Sequence, residues 1–149
     1  MKMLLAVEDF GCAEIVRKTV IAQFKTDKTE VRLVHALEPF PVGLAEEMGG
    51  GDFPDFVAAR ERQRERLQKA FSEASDALRS AGFHVTSVVG EGDARDVILD
   101  SAEEWGADLI VVCSHTQKGL KRFLFGSVAE AIARHAHCSV EIIRIPSEQ

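Results

Sequence analysis

The chain has 149 residues, of which 46% are hydrophobic and 28% charged, with a formal net charge of -6. That length suits one domain with a full hydrophobic core and no disulfide or metal staples, and the composition excludes a disordered chain. The acidic balance argues against nucleic acid as the main partner, and no apolar run nears the roughly 20 residues of a membrane helix.

The start reads as a strand, with Met3 to Val7 apolar and the acids Glu8 and Asp9 arriving too early for a signal peptide. A cytoplasmic protein is therefore expected. A helical pattern follows from about Cys12 to Phe24, then a second strand over Val31 to Leu37. Glu38 to Pro54 carries three of the four prolines and the run Gly49-Gly50-Gly51, so a long loop is expected. From Asp55 to Ala81 the spacing of Phe56, Leu67, Phe71, Ala74 and Leu78 predicts a long helix, with Gly82 at its stop. The charged run Arg60 to Arg66 reads as a solvated face.

Phe83 to Val89 alternates as a third strand. Asp93 is placed to cap a helix running to about Trp105, with Val97, Ile98 and Ala102 facing inward. Asp108 to Cys113 is a β-branched run suited to a strand buried on both faces. A loop from Ser114 to Gly126 leads to a helix from about Ser127 to Ala136, and Ser139 to Ile145 is the last strand. Strands alternating with helices predict a parallel, doubly wound α/β sheet with right-handed crossovers. Ligands of such sheets bind beyond the carboxyl ends of the strands, at the switch point.

One stretch concentrates chemistry there. After the buried fourth strand come Lys118, Lys121 and Arg122, and then Gly126-Ser127-Val128 at a helix start. A helix N-terminus gathers unpaired backbone N–H groups and positive dipole, which suits an anion such as phosphate. Gly126 permits close backbone approach, and the Ser127 hydroxyl either caps the helix or binds the anion.

The segments Val111-Val112-Cys113-Ser114-His115, Gly119-Leu120-Lys121-Arg122, Gly126-Ser127-Val128 and Ala131 to Ala136 resemble the signature of the universal stress proteins. Leu4 to Val7, Leu33-Val34-His35 and Gly92-Asp93 match as well, so the likeness covers nearly the whole of 1–149 as one domain. The resemblance implies a five-stranded sheet of order 3-2-1-4-5, of the adenine nucleotide alpha hydrolase-like type. It also implies an ATP site at Glu8, Ala36, Cys113, Thr116, Lys118, Gly126, Ser127 and Val128, and a homodimer through the last strand (Val140, Ile142, Arg144). ATP-binding members of the family carry Gly-x2-Gly-x9-Gly-Ser/Thr. Here the four positions are Cys113, Thr116, Gly126 and Ser127, so the first two glycines are replaced. Cys113 would bring a side chain beside the base, and β-branched Thr116 would be strained at positive φ. Two readings stay open: a nucleotide-binding stress regulator, with Glu8 as a candidate Mg²⁺ ligand, or a member that does not bind ATP and acts through protein partners.

Other classes find less support. The acidic pair Glu8-Asp9 lacks the Asp and Lys that a response-regulator receiver needs, and neither GxGxxG nor GxxxxGK[ST] occurs. His135, His137 and Cys138, with His115, match no familiar zinc spacing and read as a solvated helix end. No nucleophile elbow or acid pair marks an enzyme. Cys12, Cys113 and Cys138 are odd in number, and reduced buried thiols are expected.

Overall fold

Five parallel strands lie in the order β3-β2-β1-β4-β5: β1 (Lys2–Ala6), β2 (Glu30–Leu37), β3 (His84–Glu91), β4 (Leu109–His115) and β5 (Ser139–Ile145). The computed structural model describes residues 1–39, 43–47, 51, 53–115 and 126–145. The helices are α1 (Phe10–Gln23), α2 (Leu44–Glu47), α3 (Phe53–Ser80), α4 (Ala94–Trp105) and α5 (Ser127–His135). The short α2 falls inside the stretch expected to be loop, and α3 begins two residues earlier than expected.

Strand periodicity builds two cores. Met3, Leu5 and Val7 point to one face, where α1 and α3 bring Val16, Val20, Phe71 and Leu78. Leu4 and Ala6 point to the other, where α4 and α5 bring Ile98, Ala102 and Ile132. Residues 3–7 are at most 1% exposed, as an all-parallel sheet covered on both faces requires. Each fully buried Leu or Ile adds about 1.5–3 kcal/mol over leaving it in water, so the central strand anchors the fold.

Local chemistry sets the helix ends. The Asp9 carboxylate accepts from the Cys12 N–H at 2.8 Å and caps α1. Gly82, at φ +105°, ends α3, with its N–H on the Arg79 carbonyl and the Phe83 N–H on that of Leu78.

Phe56 does not face the core as its spacing suggested: it is 37% exposed. The reason is length. The 28 residues of α3 span about 42 Å, whereas the 8 residues of β2 span about 26 Å. The first turns of α3 therefore overhang the carboxyl edge of the sheet and have no strand to pack on. Arg60 ties this overhang back, its guanidinium donating to the Glu38 carbonyl at 2.8 Å.

Candidate functional site

β1 lies between β2 and β4, so the chain switches direction there. A cavity of about 190 Å³ opens at this point on the α4/α5 side. Val7, Ala36, Ile98 and Val128 give it apolar walls, and Glu8 and Glu38 bring carboxylates to it. Ala94 closes it from the first turn of α4. That turn is fixed by Asp93, whose carboxylate accepts from the Arg95 backbone at 2.9 Å and from its guanidinium at 3.0 Å. The Arg95 side chain, more than any other partner, holds the Asp93 carboxyl down at about 2. Gly90 lets α4 sit this close: a Cβ there would lie 2.7 Å from Val97 Cγ1.

The start of α5 forms the second half of the site. Gly126, not Ser127, is the N-cap, and among the described residues no side chain caps the helix. Ser127 is thus the first helical residue, and it is exposed. The Glu130 N–H takes the Gly126 carbonyl as the first helical bond, so the N–H groups of residues 127–129 have no partner within the helix. Gly126 has an ordinary φ of -60°, and among the described residues a Cβ there would meet nothing within 4 Å. Neither backbone conformation nor packing among the described residues demands a glycine at this position.

The expected site residues divide into three groups. Glu8, Ala36 and Val128 line the cavity, and Gly126 and Ser127 stand at its helix end. Thr116 and Lys118, with Lys121 and Arg122, lie outside the described residues. Cys113 belongs to the other face. Its side chain sits in the α1/α3 core and its sulfur is bonded to that of Cys12, so it does not project beside a base in this cavity. This corrects the expectation of reduced thiols. The two cysteines are 101 positions apart, and only the β1–β4 pairing and the turn into α1 bring them together.

Sequence reasoning missed Ser114 and His35. The Ser114 hydroxyl accepts from the Gly126 N–H at 3.2 Å and so joins the two ends of the β4–α5 connection. His35 places Nδ1 2.8 Å from the Val7 carbonyl and tilts against Phe71. Its signal was a polar residue inside the apolar run of β2. His35 and Ala36 also border a larger cavity, of about 580 Å³, under the α3 overhang, which Arg60, Arg64, Leu67 and Glu91 help to line. Among the described residues no group of three or more His, Cys, Asp or Glu gathers to hold a metal, and no helix is long and apolar enough to cross a membrane.

An open parallel α/β sheet with a cleft at its switch point and helices on both faces defines a doubly wound domain. The sequence model of the "Universal stress protein family" matches residues 1–144, and the chain belongs to that family. It is similar to "Universal stress protein A homolog 2" of Coxiella burnetii, 32% identical over 117 residues that cover 78% of this chain and 75% of that one. In fold it is similar to the protein MJ0577 (TM-score 0.70, 24% identity, 99% of this chain and 97% of that one). A universal stress protein family member from Arabidopsis thaliana, solved with AMP bound, is also similar (TM-score 0.63, 20% identity, 97% and 90% covered).

Proposed function

We propose that this chain is a cytoplasmic, non-catalytic stress-response regulator that binds an adenine nucleotide in the 190 Å³ cleft and acts as a homodimer. The observation that carries the reading is the pairing of an apolar slot with an open helix start. The slot, walled by Val7, Ala36, Ile98 and Val128, suits a base. Glu8 and Glu38 can accept from ribose hydroxyls, and Glu8 can instead hold a Mg²⁺ against phosphate oxygens. The N–H groups of 127–129 suit a phosphate. The AMP-bound relative supports the choice of adenine. The placement of Cys113 in the opposite core removes one of the two sequence objections to ATP; the other rests on Thr116. β5 is last in the strand order, at the sheet edge, and a second copy would pair along it at Val140, Ile142 and Arg144.

Mass spectrometry of the purified protein, followed by calorimetry with AMP and ATP, tests the ligand. No co-purified nucleotide and no binding heat at millimolar concentrations would defeat it. Sedimentation tests the dimer: a monomer at micromolar concentration would remove it. ATP turnover at a steady rate, lost when Glu8 is replaced, would overturn the non-catalytic assignment.

A further inference from the structure

The paired register of β1 with β4 runs from Met3 opposite Leu109 to Leu5 opposite Val111, and so stops short of Cys113. The Cys12–Cys113 bond lies beyond it, with the two Cα atoms 5.9 Å apart. On one side of it, the Cys12 N–H is held by Asp9, which follows the cavity residue Glu8. On the other, Cys113 precedes Ser114, whose hydroxyl holds the Gly126 N–H. The disulfide thus joins the first turn of α1 to β4 on the face of the sheet opposite the cleft, close in the chain to residues on both sides of the site.

We propose that Cys12 and Cys113 form a reversible thiol–disulfide site that responds to small-molecule thiols and disulfides and sets the geometry of the cleft. A carbonyl oxygen lies beside each sulfur, that of Ala6 3.4 Å from Cys12 and that of Cys12 3.9 Å from Cys113. Reduction moves the sulfurs apart from bonding distance, and these carbonyls are the nearby acceptors for the two thiols. Cys113 is 5% exposed and Cys12 is 0% exposed, so an incoming thiolate attacks Cys113, during a local opening of the α1/α3 core. The S–S bond breaks and a mixed disulfide forms on Cys113. The electron pair leaves on the sulfur of Cys12, in the first turn of α1. A proton on Cys12 and attack of a second small-molecule thiolate on the mixed disulfide complete the step: two protein thiols form, and the two small-molecule thiols leave joined as their disulfide. A small-molecule disulfide reverses it. In a reducing compartment, disulfides that form are usually transient and redox-sensing, which suits this role. Cys138 stands apart in the α4/α5 core, where burial pushes its thiol pKa up and the Asp108 carboxylate adds to the effect.

The test equilibrates the whole protein with reduced and oxidised dithiothreitol at graded ratios. Acid-quenched, alkylated samples are read by mass spectrometry, amide spectra are recorded in each form, and AMP affinity is measured in each. Cys12 and Cys113 should convert together into a linked peptide pair while Cys138 stays a thiol. The amide signals of Asp9, Ser114 and Gly126 should move between the forms, and AMP affinity should differ by roughly fivefold or more. Cys12→Ser should give the reduced-form spectrum and ignore the oxidant. Absence of the linked pair at every ratio would overturn the proposal; so would unmoved Ser114 and Gly126 amides, or equal AMP affinity in both forms. The affinity arm rests on the nucleotide reading. If the amides move but AMP binds neither form, the redox site stands and the nucleotide reading fails.

Discussion

Replacing Gly126 by Ala separates a ligand role from a structural one. The added methyl meets no described protein atom within 4 Å, and the φ of -60° is one that alanine adopts without strain. Alanine is the poorer N-cap but restricts the unfolded chain more, so the two effects oppose each other and net stability should stay within about 1 kcal/mol. The methyl would instead stand at the mouth of the first turn of α5, where a bound phosphate must approach the N–H groups of 127–129. Displacing the phosphate from one such bond removes a hydrogen bond to a charged group. That costs about 1.5–3 kcal/mol, or roughly 10- to 150-fold in affinity. Calorimetry with AMP and ATP reads the second effect, and urea unfolding reads the first. Unchanged nucleotide affinity would refute the placement of the phosphate. A stability loss above about 2 kcal/mol would refute the claim that the space is open to a methyl group.

Gly90→Ala should destabilise by about 1–3 kcal/mol through overpacking on Val97, and Val97→Ala in the same chain should restore part of the loss. Strictly additive urea-unfolding energies would contradict that contact. The Asp93 carboxyl is depressed by folding, so its contribution is complete above the unfolded value near 3.8 and fades as pH falls toward about 2. The stability gap between wild type and Asp93→Asn, followed by thermal melts, should narrow over that window; a gap independent of pH would remove Asp93 as its source. Ile132→Ala should cost about 2–5 kcal/mol, because its side chain is wholly buried in the α4/α5 core, and a loss under about 1 kcal/mol would mean that the site collapses freely. Reduction of the disulfide should lower stability by up to about 5 kcal/mol on loop-closure grounds, since it closes a separation of 101 residues, and identical unfolding midpoints with and without reductant would count against the bond.

The readable parts of the fold were those written in local pattern. β4 announced itself as a β-branched run, and Asp93 and Gly82 marked helix ends by chemistry that acts over a few residues. The parts that were not readable depend on residues far apart in the chain. Nothing in the sequence near Cys12 or Cys113 points to the other, because the strand order alone makes them neighbours. The side-chain direction of Cys113 follows from strand parity counted along β4, which places Val111 and Cys113 with α1 and α3, and Val112 with α4 and α5. Phe56 shows the limit of periodicity: spacing gives the face of a helix but not whether a strand lies beneath it. Ser127 was a reasonable N-cap by residue type, yet it is the first residue of the helix, and Gly126 takes the cap position.

The bond from the Gly126 N–H to the Ser114 hydroxyl joins two positions 12 residues apart in the chain. It ties the end of β4 directly to the start of α5, so a strand and a helix share one fixed point at the carboxyl edge of the sheet. A change of side chain at Ser114 is therefore transmitted to the backbone at the head of α5, one element further along the chain.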